Sequence, residues 1–499
     1  MIDQHHTRRA FLAGLSATMA APAVAAPVVS VRPPARPRDL GRQSVVEVEQ
    51  LFNAANLSGV LAYAVADART GVLLEMRSHL RGMPPASTAK AITAQYALNH
   101  LGPGHRFRTR LVSTGPIRNG QLQGDLVLFA GGDPTLTTEA LGDMAAGLKA
   151  AGVAAIGGRF LVVRGDMPFT SSIDPGQPDH VGYNPAVAGL SLNFNRVHFE
   201  WKRASEGYST TLEARTQRFQ PSVQTSSMEI IARQSPIYEY RQVDGIDRWS
   251  VAQRALGNEG SRWLPVRNPL AYAADVFRTL ARTEGVGLPR YQIVRTLPAS
   301  AAQITLYEHV SNDLQSILQD MLKFSTNLTA EMVGQSATLA RGARPANLAG
   351  SAYEMSEWLR QYSKARRPAF IDHSGLGESS DITAHDMVAG LNSVGAYSKL
   401  RQLMKPWYFR TDDGGIDRNN PVIMSAKTGT LNYVSALAGY ILPPDGRALS
   451  FAIFTADEET RASIPRENRE RPPGARSWAR RSRSLQDKLL KRWTSVLTG

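Results

Sequence analysis

The stretch Met83-Pro84-Pro85-Ala86-Ser87-Thr88-Ala89-Lys90 determines how the rest of this chain is interpreted. Its two prolines end the preceding segment, because each fixes φ and pushes the residue before it out of the helical region. The run from Ala86 to Leu98 is rich in Ala, Gln and Leu and predicts a helix. Ser87 lies in the first turn of that helix, and Lys90 follows three positions later on the same face.

This spacing places a nucleophile beside a base. A serine hydroxyl needs a base to become a nucleophile, and a lysine whose pKa is lowered in a dry pocket can be that base. The plainer alternative is an ordinary helix start with a capping serine and a solvated lysine, because so short a pattern recurs by accident. Ser87 and Lys90 alone therefore do not decide between the two interpretations.

Two later segments favour catalysis. Ser325-Thr326-Asn327 lies in a helix-like run, and Lys427-Thr428-Gly429-Thr430 leads into a strand-like run from Leu431 to Leu442. Together with the first segment and in this order, they resemble the motif set of serine β-lactamases and penicillin-binding proteins. The three segments predict acyl transfer to a serine.

Acyl transfer needs an activated hydroxyl, a proton route, an oxyanion hole and a group that holds the substrate carboxylate. Ser87 is the predicted nucleophile. Lys90 is the predicted general base, and the nearby cation Lys427 is expected to help lower its pKa. Ser325 is assigned the relay of a proton to the leaving amine, and Asn327 the orientation of Lys90 and of the substrate amide.

The strand that carries the third motif is predicted to bind the substrate. Lys427 and Thr428 suit a substrate carboxylate, and Gly429 leaves room for a close approach. The backbone N–H groups of Ser87 and Thr430 are the predicted oxyanion hole.

Composition sets wider bounds. The 499 residues are enough for two to four domains, and 42 % apolar and 20 % charged residues are ordinary for a globular chain. The net charge of +14 suits nucleic acid, an acidic membrane surface or an acidic polymer such as cell wall, but a solubilising surface bias explains it equally well. No nucleic-acid motif accompanies it. With no cysteine and no His-Glu-x-x-His spacing, neither a disulfide framework nor a metal site is expected.

The amino-terminal residues predict export. Residues 1–26 have the features of a signal peptide: Arg8-Arg9 precedes Phe11-Leu12 and a short apolar run, and residues 23–25 offer a small-x-small cleavage site. The arginine pair resembles a twin-arginine signal, with an ordinary secretory signal as the alternative. A periplasmic location by the twin-arginine route follows. Residues 27–44 are predicted to be a Pro/Arg-rich linker.

The remainder predicts a mixed α and β fold. A hairpin over 59–76 provides a sheet for the nucleophile helix. Residues 195–262 are predicted to be a mostly β insertion. Residues 270–284 and 311–339 have helical character. Residues 484–497 predict an amphipathic helix, with core packing of its apolar face or contact with a membrane surface as alternatives.

Over about residues 45 to 460 the chain resembles the D-alanyl-D-alanine carboxypeptidase/endopeptidase family of the penicillin-binding-protein-4 type, peptidase family S13. Beyond the three motifs, the resemblance rests on four runs: Gly132-Asp133-Pro134-Thr135-Leu136, Leu192-Asn193-Phe194-Asn195, Asn327-Leu328-Thr329-Ala330-Glu331 and Lys427-Thr428-Gly429-Thr430-Leu431. The gap between Ser87 and Ser325 is much longer than in β-lactamases. In this family that gap holds two inserted domains.

The resemblance implies an α+β fold of the serine β-lactamase/transpeptidase type, with a five-stranded antiparallel sheet between helices. It divides the chain into a catalytic domain of residues 45–105 and 304–499, an inserted domain II of residues 106–194 and 263–303, and an inserted domain III of residues 195–262. Asp179 and Tyr183 fall where the family's inserted loop approaches the substrate, which makes them candidate binding residues.

The implied activity is removal of the terminal D-alanine from peptidoglycan stem peptides and cleavage of peptide cross-links. It proceeds through an acyl-enzyme on Ser87 that β-lactam antibiotics trap, without a cofactor. The family's usual Asp-Gly-Ser-Gly-Leu-Ser-Arg run stands here as Asp-His-Ser-Gly-Leu-Gly-Glu over residues 372–378, which leaves the substrate preference open.

Three rival functions stay open at this point. A penicillin-binding wall scaffold with little turnover is compatible with the altered residues 372–378. A β-lactamase shares the nucleophile and base, but it needs a means of activating the deacylating water, and the insertion is too long for one. Nucleic-acid binding is suggested by charge alone, and export argues against it. Neither the oligomeric state nor the balance of the two peptidase activities follows from the sequence.

Overall fold

The computed structural model describes residues 47–298, 302–411, 415–444 and 446–498. The predicted signal peptide (1–26) and linker (27–44) lie outside the described residues. Residues 299–301, 412–414 and 445 are likewise outside them.

The catalytic half is built on a six-stranded sheet in which every neighbouring pair is antiparallel. In spatial order its strands are Lys405–Trp407, Ile423–Leu431, Val434–Leu442, Leu449–Ala456, Val60–Asp67 and Leu73–Arg77. The predicted hairpin over 59–76 is confirmed. The short edge strand Lys405–Trp407 is the addition to the five strands that the family resemblance implies.

Both faces of this sheet are covered, because side chains alternate along each strand and both sets are apolar. In the strand Val60–Asp67, the small residues Ala62, Ala64 and Ala66 face one layer of helices. That layer comprises the helices Ala89–His100, Leu314–Phe324, Asn327–Ala340, Leu348–Tyr362, Ala384–Val394 and Lys399–Leu403. Small side chains let the helix Ala384–Val394 pack closely on this strand.

The opposite face is covered by the helices Val48–Ala55 and Ala475–Val496. Leu485, Leu489 and Trp493 of the second helix are buried against the larger side chains of the strand Val60–Asp67. The apolar face predicted for residues 484–497 is therefore part of the core. That face is not available to a membrane, whereas membrane contact through the basic residues of the segment stays a prediction. Among the described residues, no helix has the length and apolar character needed to cross a bilayer.

The insertion contains a five-stranded mixed sheet. Its strands in spatial order are Tyr291–Val294, Phe160–Val163, Leu126–Phe129, Arg108–Ser113 and Ile304–Val310. The helices Thr138–Ala150 and Pro269–Thr283 pack on one face. Because Ile304–Val310 pairs with Arg108–Ser113, it belongs to the insertion, and the predicted restart of the catalytic domain at 304 is wrong. The catalytic helices resume after residue 310.

Residues 196–265 form two three-stranded sheets, in agreement with the mostly β segment predicted there. One contains Tyr208–Glu213, Arg196–Arg203 and Glu259–Pro265, and the other Ser226–Ile231, Ile246–Ala252 and Tyr238–Val243. The remaining short elements are the strands Gly82–Met83, Ile117–Arg118, Gln121–Leu122, Ala155–Ile156 and Ile382–Thr383, the helix Glu458–Ala462 and the 3₁₀ turns Ala86–Thr88, Asn193–Asn195, Gln253–Ala255 and Arg466–Asn468.

Candidate active site

Ser87 lies in the 3₁₀ turn Ala86–Thr88 that leads into the helix Ala89–His100. At the start of this turn Ala86 has a φ of 45°, and the Thr88 hydroxyl donates a hydrogen bond to the Pro85 carbonyl at 2.6 Å. A positive φ at a residue with a side chain costs about 1–3 kcal/mol and tends to occur at functional sites. This backbone directs the Ser87 side chain to Lys90, with 2.8 Å between Oγ and Nζ.

The Lys90 amine is fully buried and has three oxygen neighbours. Besides Ser87 Oγ, Nζ lies 2.7 Å from Asn327 Oδ1 and 2.8 Å from the Ser374 carbonyl. Asn327 Nδ2 donates to the Tyr183 carbonyl at 2.9 Å, which turns Oδ1 toward Lys90. A neutral amine has two hydrogens and one lone pair. Both carbonyl oxygens can only accept, so they take the two hydrogens and leave the lone pair for the Ser87 hydroxyl proton.

Burial favours this neutral form. It lowers the pKa of Lys90 to about 8, and the carboxyls of Glu331 and Asp372 limit the shift. Loss of water around Lys90 is thus the main cause of the lowered pKa, as a dry pocket predicts, rather than the charge of Lys427 that was expected to contribute. For Lys427 itself, burial first and then the charge of Lys90 hold the pKa well below its usual value.

Two buried carboxyls hold the turn that orients Lys90. Glu331 accepts from the backbone N–H groups of His373 and Ser374, each at 2.9 Å, and Asp372 accepts from that of Gly375 at 2.6 Å. Burial raises the pKa of both carboxyls. Neither carboxyl was predicted to have a role, although Glu331 is the last residue of one of the runs on which the family resemblance rests. The Ser374 carbonyl that receives Lys90 is fixed by these bonds.

His373 stands where the family's usual run has glycine, and Gly334 of the helix Asn327–Ala340 leaves room for its ring. A Cβ added at Gly334 would lie 2.2 Å from the His373 ring, so only glycine fits there. The ring is fully buried, lies parallel to Tyr96 and has Nε2 2.8 Å from Ser351 Oγ. Burial lowers the pKa of His373 to about 3, which keeps the ring neutral. The altered turn is accommodated without displacing Ser374.

The second and third motifs meet beside Ser87. Ser325 ends the helix Leu314–Phe324 with a φ of 61°, and its hydroxyl accepts from Lys427 Nζ at 3.0 Å. Gly429 passes directly against the nucleophile, because a Cβ there would lie 2.8 Å from the Ser87 backbone nitrogen. Ser87, Lys90, Ser325, Asn327 and Lys427 therefore come together, as the motif spacing predicts.

A cavity of about 740 Å³ opens from this cluster and is lined by Ser87, Ser325, Asn327, Thr430 and Tyr183, among others. Thr428 is exposed on the same strand but does not line it. Tyr183 contacts the site through both its carbonyl and its position on the cavity wall.

Asp179 does not belong to this cavity. Its carboxylate pairs with Arg466 at 2.7 Å, and it lines a separate cavity of about 290 Å³. The structure thus does not bring Asp179 together with the cluster around Ser87, and its contribution to substrate binding stays a prediction. The polar loop that carries it is long enough for Tyr183 to reach the nucleophile while Asp179 faces the Arg466 segment.

The comparisons with known proteins agree with this geometry. The sequence model of the family described as D-Ala-D-Ala carboxypeptidase 3 (S13) matches residues 45–471. The chain belongs to this family. The predicted family is thereby confirmed.

Curated relatives cover most of the chain. A D-alanyl-D-alanine carboxypeptidase from Actinomadura sp. is 29 % identical over 450 residues, which is 82 % of this chain and 80 % of the relative. D-alanyl-D-alanine carboxypeptidase DacB from Haemophilus influenzae is 26 % identical over 394 residues, or 74 % of this chain and 80 % of the relative.

A solved structure shares the fold. The crystal structure of penicillin binding protein 4 from Haemophilus influenzae superposes with a TM-score of 0.69 at 21 % identity, over 89 % of this chain and 99 % of that one. The α+β transpeptidase-like fold class is confirmed.

Proposed function

We propose that this chain is a serine-type D-Ala-D-Ala carboxypeptidase with DD-endopeptidase activity on peptidoglycan stem peptides, acting through an acyl-enzyme on Ser87. The observation that carries the proposal is the buried Lys90 amine, whose lone pair is left for the Ser87 hydroxyl. The family and the name of the Actinomadura relative support the carboxypeptidase activity. The endopeptidase activity is supported by the family resemblance.

In the first step, Ser87 Oγ bonds to the carbonyl carbon of the penultimate D-alanine while its proton moves to Lys90 Nζ. The developing oxyanion is received by the backbone N–H groups of Ser87 and Thr430. The close passage of Gly429 supports this pairing, since it brings the strand against the Ser87 nitrogen. Lys427, which contacts Ser325, holds the terminal carboxylate, and Thr428 stays a predicted contact although it does not line the cavity.

In the second step, the C–N bond breaks and Ser325 relays to the leaving nitrogen the proton that Lys90 took from Ser87. The leaving group is D-alanine in the carboxypeptidase reaction and the cross-linking amine of a second stem peptide in the endopeptidase reaction. Water then attacks the Ser87 ester, its proton passes through Ser325 to Lys90, and Lys90 returns a proton to Ser87 Oγ as the acyl C–O bond breaks. Microscopic reversibility therefore makes Lys90 both the acceptor of the nucleophile's proton and the acid that restores the serine.

A β-lactam would acylate Ser87 by the same attack, with its amide nitrogen remaining attached to the acyl group. The Haemophilus protein has been crystallised in complex with a β-lactam. That its fold matches this one supports extending β-lactam binding to Ser87.

Mass spectrometry of the mature protein tests the proposal. Incubation with benzylpenicillin should give a penicilloyl adduct on the peptide containing Ser87. Incubation with muropeptides should release D-alanine and, in the endopeptidase reaction, split cross-linked dimers. An adduct without turnover would favour the wall scaffold, and rapid release of penicilloate would favour a β-lactamase. The absence of any adduct would contradict the acyl-enzyme.

We further propose a periplasmic location reached by the twin-arginine route, supported by the arginine pair in residues 1–26. Replacing Arg8 and Arg9 by lysine in a reporter fused to residues 1–44 should retain the reporter in the cytoplasm. The matched control replaces Arg36 and Arg38 of the linker by lysine, and export of that reporter should persist. Export of both reporters would contradict the twin-arginine route.

A further inference from the structure

The active-site cavity has an arginine-rich outer wall that the reaction described above does not use. Arg471 and, from the helix Ala475–Val496, Arg476, Arg480 and Arg483 line it, and all four side chains are exposed. Positions 476, 480 and 483 are spaced by four and three residues, so they share one face of the helix. These four residues are called the arginine face below.

Within the described parts of the chain, no member of the arginine face has an ion-pair or hydrogen-bond partner. The two acidic groups nearby are engaged with other arginines and a histidine. Glu378 pairs with Arg469 at 2.6 Å and with Arg461 at 3.4 Å.

The second acid, Glu470, is likewise engaged. Its carboxylate receives His180 at 2.7 Å and Arg262 at 2.8 Å, and these bonds lower its pKa to about 2. The positive charge of the arginine face is therefore not neutralised from within the wall of the cavity.

Folding does not require this charge. The opposite side of the same helix is anchored by Trp478, Leu485 and Trp493, which are buried in the core. Four guanidinium groups on one wall repel each other and add nothing to that anchoring. They lie in the cavity that opens from Ser87, which points to a negatively charged part of the bound molecule.

The direction of the bound peptide identifies that part. A peptide with its terminal carboxylate at Lys427 and its scissile carbonyl at Ser87 continues toward Thr430 and Asn432, since these follow Lys427 in the chain and line the same cavity. Asn432 lies next to the segment that leads into the arginine face, because its Nδ2 donates to the Arg469 carbonyl at 2.6 Å. The group that reaches it is the acyl side of the substrate.

We propose that the arginine face binds the carboxylates of an acidic peptide on the acyl side of the scissile bond. This inference rests on the proposed function for the direction of the peptide. Guanidinium groups suit carboxylates because they can donate two parallel hydrogen bonds. A membrane surface is disfavoured, because the apolar face of this helix is buried.

The test compares two peptides ending in D-Ala-D-Ala, one with free side carboxylates on its acyl side and one with those carboxylates amidated. Binding to the Ser87→Ala protein is measured by calorimetry, so turnover is not needed. The variant is R480Q/R483Q. The matched control is R481Q/K488Q, which removes the same charge from exposed positions of the same helix that do not line the cavity.

We expect the free-carboxylate peptide to bind more tightly than the amidated one. R480Q/R483Q should reduce that preference about three- to tenfold, as is typical of two partly exposed charge pairs. The control should keep the preference. An equal loss for both peptides, or no preference in the parent protein, would overturn the inference.

A separate readout distinguishes failure of the proposed function. If benzylpenicillin leaves no adduct on Ser87 in the wild-type protein, the acyl-enzyme mechanism fails, while the preference for carboxylates is still decided by calorimetry. If anionic lipid vesicles sediment the wild-type protein but not R480Q/R483Q, and the peptide preference is absent, the surface binds membrane and the inference is overturned.

Discussion

At the reacting centre the charged groups are buried and have defined partners, whereas on the arginine face they are exposed and have none among the described residues. Lys90 has three oxygen neighbours within 2.8 Å, and its pKa is set by the loss of water. The exposed arginines attract anions through their summed positive charge, and salt weakens this attraction. One cavity therefore combines a reaction that depends on the positions of its catalytic groups with substrate recognition whose strength depends on the number of charges.

The largest effect is expected when the nucleophile is replaced. A small effect there would contradict the contrast between the buried centre and the arginine face. Ser87→Ala should lower both benzylpenicillin acylation and muropeptide turnover by about a thousandfold or more, because among the described residues no other hydroxyl is paired with Lys90. Ser477→Ala is the matched control, since Ser477 lines the same cavity away from Lys90. Stopped-flow acylation and product chromatography give the two rates. Residual activity within tenfold of the parent would contradict the assignment.

The next prediction concerns pH. Lys90 acts as a base only when unprotonated. Because its pKa is about 8, the unprotonated fraction rises with pH and approaches its maximum above that value. The acylation rate should therefore increase about tenfold for each pH unit below that value and level off above it. A profile measured with benzylpenicillin, with circular dichroism at each pH as the folding control, checks this. A rate independent of pH through this range would mean that Lys90 is not the base.

A smaller loss is expected where the strand passes the nucleophile. Gly429→Ala should reduce acylation about a hundredfold, because the new methyl group would collide with the Ser87 backbone nitrogen and shift the nucleophile. Gly287→Ala serves as the control, since a Cβ there meets no atom within 4 Å. Equal rates for the two variants would show that the close approach has no role in positioning Ser87.

One shell farther from the nucleophile, the expected effect is on stability. Gly334→Ala should lower the free energy of unfolding by about 1–3 kcal/mol through overpacking against His373. The loss should be smaller in a His373→Gly background, because the colliding ring is gone. Gly350→Ala is the control, with its nearest neighbour at an ordinary 3.4 Å. Additive losses in urea unfolding would contradict the contact.

The smallest effect is expected on the arginine face. Its dependence on salt should differ from that of the buried centre. Raising ionic strength should weaken the preference for the free-carboxylate peptide, while the buried centre should be far less sensitive. Calorimetry at two salt concentrations measures the first, and benzylpenicillin acylation at the same concentrations the second. Equal sensitivity of both would remove the distinction between the two regions.

The chemistry of the centre could be predicted from sequence because its motifs are local. Ser87 and Lys90 are three positions apart in one helix, so their contact follows from helical geometry. The helical character of residues 311–339 was also predictable, but the break between Phe324 and Asn327 was not. There Ser325 takes a left-handed conformation that its residue type does not signal.

The supporting carboxyls could not be predicted, because burial depends on tertiary packing. Nothing in the local pattern around Glu331 or Asp372 shows that both side chains end beneath the Ser374 turn. The pairing of Asp179 with Arg466 was not predictable for the same reason, since the two residues are distant in sequence. The carboxy-terminal helix begins at Ala475 rather than 484, because its first turns are rich in arginine and show little apolar character.

The hydrogen bond from Asn327 to the Tyr183 carbonyl has a consequence for the timing of activity. Tyr183 belongs to the insertion, which lies between the first and second motifs in the chain. Until the insertion has folded, the Asn327 amide is free to rotate, and the Lys90 amine has only the Ser374 carbonyl as a fixed acceptor. We therefore expect full activity only after the insertion has folded, which would limit cleavage by partly folded forms.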